Sequence, residues 1–136
     1  MLYTLIYSSV AAVPMDDDEV EVLLGRCQER NAADGVTGLL VHVRLGRDRA
    51  AFIQVLEGRR EAVESTFARI ERDELHEDVT VLTRSPLEVA RFHEWSMKFA
   101  AVDEPGLGKL ADGRPTVALL RDREMVERVI TALGGR

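Results

Sequence analysis

The chain of 136 residues contains one cysteine, Cys27, which excludes an internal disulfide and any metal site built from several cysteines. It has no apolar run near the roughly 20 residues that span a bilayer, and no signal-peptide pattern at its start. Its histidines and carboxylates lack metal-ligand spacing, and glycine-rich nucleotide loops are missing. These absences favour a cytoplasmic protein that binds neither a metal nor a membrane.

The chain also has fewer positive than negative side chains, with 18 lysines and arginines against 24 aspartates and glutamates. The formal net charge is −6 at pH 7, and such an acidic balance argues against a nucleic-acid partner. Hydrophobic residues make up 46% and charged residues 31% of the chain, which is typical of a folded globular protein. The length suits one domain with a single core.

Hydrophobic periodicity predicts the order β-α-β-β-α-β, followed by a fifth strand and a C-terminal helix. Asp16 and Glu19 form the pattern of a capping box at the start of the first helix. Residues 44–50 are predicted to form a long hairpin loop, Pro86 to break the chain, and 103–106 to mark a boundary. The predicted strands cover 2–7, 36–43, 52–58, 79–83 and 95–100, and the predicted helices cover about 16–30, 60–72 and 116–133.

This order matches the ferredoxin-like motif and predicts an α+β fold with two helices on one face of the sheet. The first and third strands are expected to lie side by side and parallel at the centre, with Tyr7 and Gln54 near their C-terminal ends. The apolar stripe from Met125 to Leu133 is expected to pack on the opposite face of the sheet or on another subunit.

Gln54 is a single amide inside an apolar run, and a buried amide requires hydrogen-bond partners. Taken alone, it could instead face solvent or bond to the neighbouring backbone. The predicted helices also bring Asn31, Arg69 and Asp73 near Tyr7 and Gln54, with Arg69 and Asp73 on one face of the second helix. Polar groups that converge beneath apolar helix faces are typical of a small-molecule pocket.

Five motifs in this order resemble the BLUF domain, a blue-light sensor that uses flavin adenine dinucleotide (FAD). The resemblance covers about residues 1–102, and residues 103–136 are then expected to form a C-terminal helical cap. The chain departs from the family at Arg30, where an asparagine is frequent, and in its long hairpin. The motifs are Tyr-Ser-Ser at 7–9, Arg-Asn-x-x-x-Gly-Val-Thr-Gly-Leu-Leu at 30–40, Phe-Ile-Gln-Val-Leu-Glu-Gly at 52–58, Arg-Ile-x-x-Asp at 69–73 with His76, and Arg-Phe-x-x-Trp-Ser-Met at 91–97.

The resemblance implies roles for single residues. Tyr7 matches the photoactive tyrosine, and Gln54 matches the glutamine that lies between this tyrosine and the flavin. Asn31 matches the asparagine that binds the carbonyl edge of the flavin ring. The other implied roles belong to Leu23 and Ile70 on the ring faces, Arg69 and Asp73 near the polar edge and side chain of the cofactor, Arg30 and His76 toward its phosphates, and Trp95 and Met97 as a signal relay.

The resemblance also implies a function. Blue light would drive electron and proton transfer from Tyr7 to the flavin and leave the hydrogen bonds of Gln54 rearranged, with no substrate consumed. We expect a short stand-alone receptor without an output enzyme, which forms a homo-oligomer and signals to a separate protein. FAD is the expected cofactor, with FMN or riboflavin as alternatives. The competing functions are a flavin-dependent oxidoreductase and a cofactor-free ferredoxin-like interaction module.

Overall fold

The computed structural model of the chain describes residues 2–12, 15–46, 49–92, 97–110 and 116–134. These residues form a five-stranded sheet with helices packed on both faces. In chain order the elements are β1 (Leu2–Ala11), α1 (Asp17–Asp34), β2 (Thr37–Leu45), β3 (Arg49–Arg59), α2 (Arg60–Arg72), β4 (His76–Leu87), β5 (Lys98–Asp103), α3 (Glu104–Leu110), α4 (Thr116–Leu119) and α5 (Arg123–Gly134). The predicted ferredoxin-like α+β fold is confirmed.

The strand order across the sheet is β4-β1-β3-β2-β5. β1 and β3 are neighbours as predicted, but they are antiparallel, so the predicted parallel pairing is wrong. The reason is that α1 returns the chain so that β2 runs in the direction of β1, and the β2–β3 hairpin then reverses it. Tyr7 therefore lies directly opposite Gln54 in the ladder.

α1 begins at the predicted capping box, but it runs to Asp34, further than the predicted end near residue 30. The Asp16 carboxylate accepts a hydrogen bond from Glu19 N at 2.8 Å, and Glu19 Oε1 accepts one from Asp16 N at 3.2 Å, which is the complete capping box. Gly35 ends the helix in the left-handed conformation, with φ of 72°. Asn31 consequently lies in the last turn of α1 instead of in a loop.

Each face of the sheet has its own core. On one face, α1 and α2 cover Leu5, Tyr7 and Phe52. On the other face, Val126, Val129 and Ile130 of α5 pack among the alternate residues of the strands, together with α3 and α4. The predicted C-terminal cap on the face opposite the first two helices is therefore confirmed.

Two predicted interruptions are regular strand. β2 and β3 stay paired out to Leu45 and Arg49, so the long loop predicted for 44–50 is strand at both of its ends. Pro86 lies inside β4, opposite Tyr3. Because β4 is an edge strand, a residue that cannot donate a backbone hydrogen bond is tolerated there.

The segment after β4 also differs from its prediction. β5 begins at Lys98 and runs parallel to β2, whereas the predicted strand began at Trp95, which lies outside the described residues. The predicted boundary at 103–106 is instead the start of α3. There, Asp103 Oδ1 accepts a hydrogen bond from Gly106 N at 2.8 Å, as a capping side chain does at a helix start.

None of the helices in the described part of the chain is both long enough and apolar enough to cross a membrane.

Candidate functional site

A cavity of about 120 Å³ opens between α1, α2 and the sheet. The structure brings together here the eight side chains, other than Tyr7, that the sequence predicted to contact a cofactor. They are Leu23, Arg30, Asn31, Gln54, Arg69, Ile70, Asp73 and His76, and Arg26, Cys27, Leu40 and Thr66 complete the lining. Their roles toward a cofactor stay predictions, but their convergence on one cavity is a property of the fold.

At the floor of the cavity, Tyr7 Oη donates a hydrogen bond to Gln54 Oε1. The other end of the amide, Gln54 Nε2, donates to Met97 Sδ at 3.5 Å. None of the three side chains is more than 2% exposed. Opposite residues of an antiparallel pair point to the same face, so the β1–β3 ladder itself brings the phenol to the amide.

Tyr7 is fully buried against aromatic rings. The centroid of its ring lies 5.4 Å from that of Phe67 and 6.1 Å from that of His76. Burial, reinforced by Cys27 and Asp73, raises the pKa of Tyr7 well above its ordinary value of about 10. The phenol therefore stays protonated at neutral pH and serves as a donor to Gln54.

The α1 wall of the cavity is loosely closed. Although α1 has 18 residues, Val20 and Asn31 are its buried ones. Leu23 and Cys27 are only partly buried, and both face the cavity. An apolar helix face that covers the sheet but leaves a slot beneath it, with the buried Asn31 at one end, can hold a flat molecule with one polar edge.

The α2 wall carries Ile70 and two charged groups that do not pair with each other. Arg69 Nη2 lies 3.1 Å from Asp34 Oδ2, so its ion pair joins α2 to the end of α1. Asp73 is the C-cap residue of α2 and has an extended backbone. Its carboxylate accepts a hydrogen bond from Leu75 N at 3.0 Å. α2 thus ends one residue before Asp73, and the side chains of Arg69 and Asp73 both line the cavity.

His76 begins β4 at the edge of the cavity. Its Nδ1 lies 2.7 Å from Ser9 Oγ, and its ring lies edge-on to Phe52 with 5.5 Å between centroids. Burial lowers the pKa of His76, although Asp73 opposes the shift. The imidazole is therefore neutral at pH 7 and can exchange hydrogen bonds with a ligand without adding a charge.

No role was predicted for Glu57, which is fully buried three residues after Gln54. Its Oε1 accepts hydrogen bonds from Arg91 N at 2.9 Å and Phe92 N at 3.0 Å, and its Oε2 lies 3.5 Å from Arg91 Nε. Arg91 also pairs with Glu127 of α5 at 3.0 Å. Glu57 thus holds the start of the segment that leads to Met97. Its position inside an otherwise apolar strand was the available signal.

Of the two residues predicted to relay the signal, the structure describes Met97. Met97 is buried and contacts Gln54, whereas Trp95 lies outside the described part. Within the described ranges, no group of three or more histidine, cysteine, aspartate or glutamate side chains could hold a metal ion.

A second histidine on this face, His42 of β2, yields a testable prediction. It is 4% exposed, and its Nε2 has no hydrogen-bond partner among the described residues. Burial and Arg44 lower its pKa, while Asp17 opposes the shift. We expect His42→Leu to raise the free energy of unfolding at pH 7.5 by up to about 1 kcal/mol, because an unpaired buried polar group is removed.

The pH dependence of the free energy of unfolding serves as the control for His42→Leu. A lowered folded-state pKa means that the stability from neutral His42 is present above pH 6.5 and is lost as the pH falls through the folded-state pKa. Urea denaturation at pH 7.5 and 5.0 should therefore show a smaller loss in His42→Leu than in the wild type. Parallel losses would show that His42 is not desolvated in the folded state.

The fold and the site define an α+β domain with a ligand cavity above a buried tyrosine–glutamine pair. A family model described as "Sensors of blue-light using FAD" matches residues 2–98. The chain belongs to this family, the BLUF domains, and the predicted resemblance is confirmed.

Individual relatives agree with this assignment. Photoactivated adenylate cyclase subunit beta of Euglena gracilis is 35% identical over 100 residues, which are 73% of this chain and 11% of that protein. The dark-state structure of the BLUF protein BlrB is 27% identical, with a TM-score of 0.67 and 97% of both chains covered. BlrP1 of Klebsiella pneumoniae, solved with FMN and cyclic diGMP, is 31% identical with a TM-score of 0.68, covering 96% of this chain and 34% of that one. The chain thus spans about a tenth of the length of its first curated relatives.

Proposed function

We propose that the chain is a blue-light photoreceptor in which Tyr7 and Gln54 form the light-responsive pair beneath a bound flavin. The observation that carries the proposal is the buried hydrogen bond from Tyr7 Oη to Gln54 Oε1 at the floor of the cavity. Membership of a family of blue-light sensors supports it.

The chemistry of the cavity wall fits a flavin. A flavin ring is apolar on both faces and polar along one edge, and Leu23 and Ile70 offer apolar contacts from the two helices. The amides of Asn31 and Gln54 supply donors and acceptors for the polar edge, and Arg69 and Asp73 supply charge near it. When bound, the flavin would supply the absorption of blue light and an acceptor for an electron.

Tyr7 supplies the electron and the proton in this proposal. When the electron leaves the phenol, the Oη proton becomes acidic and can move along its hydrogen bond to Gln54 Oε1. The amide of Gln54 has an acceptor at one end and donors at the other, so turning or tautomerising it changes what it offers Tyr7 and Met97. Return of the electron and proton restores Tyr7 but can leave the amide rearranged, which stores the signal.

FAD is the proposed form of the cofactor, because the family is described by it. Arg26 and Arg30 lie exposed on α1 at the rim of the cavity, where guanidinium groups suit the phosphates of a dinucleotide. His76 is a further candidate contact from β4. BlrP1 has been solved with FMN, so FMN and riboflavin are the alternatives to test.

We propose that the signal leaves through the C-terminal cap. Residues 1–102 would form the flavin-binding unit and residues 103–136 the cap, with a separate cytoplasmic protein as the receiver and a second copy of the chain as an oligomer partner. Several curated relatives are named as cyclase subunits, but the chain matches only 11% of the first one's length. We propose that the residues matched by the family model act as a sensor and not as an enzyme, because that family is described as blue-light sensors.

The first test is an absorption spectrum of the purified protein saturated with FAD, recorded in the dark, after blue light and during dark recovery. We expect an oxidised flavin spectrum that shifts slightly to the red in light and reverts in the dark, because only hydrogen bonds around the ring change. Bleaching to a reduced flavin would instead support an oxidoreductase. Failure to bind FAD, FMN or riboflavin would leave the interaction module.

A further inference from the structure

β1, the strand that carries Tyr7, also contacts the C-terminal cap through the following residue, Ser8. Ser8 is 2% exposed and points to the face opposite Tyr7. Its Oγ donates a hydrogen bond of 2.6 Å to the carbonyl oxygen of Leu120, a residue 112 positions away. Leu120 lies in the turn between α4 and α5. Two consecutive residues of β1 therefore hold the proposed light-responsive pair on one face and the cap on the other.

β1 is irregular around these two residues. Its pairing with β3 continues without interruption from Leu2 to Val10. Its pairing with β4 shifts register between Ile6 and Tyr7 and again between Ser8 and Val10. Such irregularities locally interrupt the ladder and bend the strand. The ladder between β1 and β4 is therefore interrupted on both sides of the stretch Tyr7–Ser8, which itself stays paired with Val81 and Thr80.

The cap has room to move beside Ser8. A cavity of about 290 Å³ is lined by Ser8, Leu120 and Arg121, together with residues from the ends of β2, β3 and β4. Close-packed interiors resist displacement, because moving one side chain forces the next. The α4–α5 turn therefore borders open space at Leu120 and Arg121, although Leu119 and Leu120 are themselves buried in the core on this face.

We propose that Ser8 is a positioning residue that couples the Tyr7–Gln54 pair to the α4–α5 turn. In the dark, the hydrogen bond from Ser8 to the Leu120 carbonyl holds the turn against β1. Rearrangement at Tyr7 displaces the irregular stretch and weakens this bond, which loosens the turn and the first part of α5. This inference rests on the proposed photoreceptor function and names the output joint of the same site.

The coupling has a consequence for the lifetime of the lit state. If the bond is weaker in the lit state, removing it destabilises the dark state more than the lit state. A typical hydrogen bond is worth about 1 kcal/mol, and each 1.4 kcal/mol corresponds to a tenfold change in an equilibrium. Since the recovery rate changes by no more than the equilibrium when the bond is only partly re-formed in the transition state, we expect Ser8→Ala to slow dark recovery of the flavin spectrum by up to about fivefold.

The experiment compares the FAD-loaded wild type with Ser8→Ala and a matched control, Thr4→Val. Thr4 lies on the same strand and face, is 3% exposed, and its hydroxyl has no partner among the described residues. Amide hydrogen exchange of residues 118–130 is measured in dark and light, with the flavin shift and its recovery. In Ser8→Ala, we expect an unchanged shift and dark exchange already as fast as in the lit wild type. Thr4→Val should match the wild type in every readout.

The outcomes separate the coupling from the proposed function. A wild type without a reversible shift would contradict the photoreceptor function itself. A wild type with a normal shift but no light-dependent exchange in the cap would overturn the coupling alone. The same holds if Ser8→Ala keeps the wild-type exchange difference and recovery rate. If Ser8→Ala fails to fold, Ser8→Cys keeps nearly the same volume with a weaker donor, and its recovery and cap exchange decide the question in the same way.

Discussion

Replacing Tyr7 with phenylalanine is expected to abolish the light-induced shift of the flavin spectrum while the flavin stays bound. The ring of Phe keeps the packing against Phe67, but the donor to Gln54 Oε1 is lost. Without the hydroxyl, the side chain has no proton to release and is much harder to oxidise. Absorption spectra in dark and light, with flavin content from the ratio of visible to ultraviolet absorbance, measure both effects.

The chain supplies its own control for this variant. Tyr3 is the other of its two tyrosines and lies on the same strand and face, where its hydroxyl donates to Glu64 at 2.9 Å. Tyr3→Phe should keep the full light response. Gln54→Leu should behave like Tyr7→Phe, because it removes the amide that would store the rearrangement. A normal shift in Tyr7→Phe would disprove the assignment of this residue as the electron and proton donor.

Much of the fold could be predicted because its signals are local. The capping box of Asp16 and Glu19, the glycine at position 35 and the stripe of α5 each report their own element. The predicted direction of β3 relative to β1 was wrong. The relative direction of two strands depends on how many times the chain reverses between them, and no residue in either strand encodes that number. Likewise, Pro86 reads as a break unless one knows that β4 lies at the sheet edge.

The residues of the site were likewise predictable where the signal was local and were missed where it was not. Gln54 was visible as an amide in an apolar run, Asn31 was predicted to converge on it with Arg69 and Asp73, and His76 entered through a family resemblance. Ser8 and Glu57 were missed, because their partners lie 112 and 34 positions away and only the folded chain brings them together. Ser8 bonds to a backbone carbonyl and Glu57 to two backbone N–H groups, and backbone partners leave no side-chain signature in the sequence.

Glu57 and Gln54 together explain how one strand controls the segment that follows β4. Gln54 contacts Met97 on the cavity side of the sheet, and Glu57 holds Arg91 and Phe92 on the cap side, where Phe92 is part of the core. Both ends of the segment 91–97 are therefore fixed to β3. Loss of either anchor should free that end, but only Glu57 carries a buried charge whose removal leaves several groups unpaired.

Replacing Glu57 with alanine should consequently give the largest loss of stability among these variants, about 2–4 kcal/mol in the free energy of unfolding, because the backbone N–H groups of Arg91 and Phe92 lose their acceptor. The change removes the acceptor of two backbone N–H groups and leaves Arg91 without its buried partner. Urea denaturation at pH 7 with a fixed flavin concentration measures the loss, because bound ligand would otherwise shift the result.

Glu64→Ala is the comparison variant, because Glu64 also pairs with an arginine, Arg84 at 3.1 Å, and accepts a hydrogen bond from Tyr3, but its side chain is 33% exposed. An exposed pair is worth about 1 kcal/mol or less, so this variant should lose far less stability than Glu57→Ala. Glu57→Gln should fall between them, since its amide oxygen can still accept from the two N–H groups while the charge is gone. Equal losses in Glu57→Ala and Glu64→Ala would mean that water replaces the carboxylate, and the segment 91–97 would then not depend on Glu57 for its position.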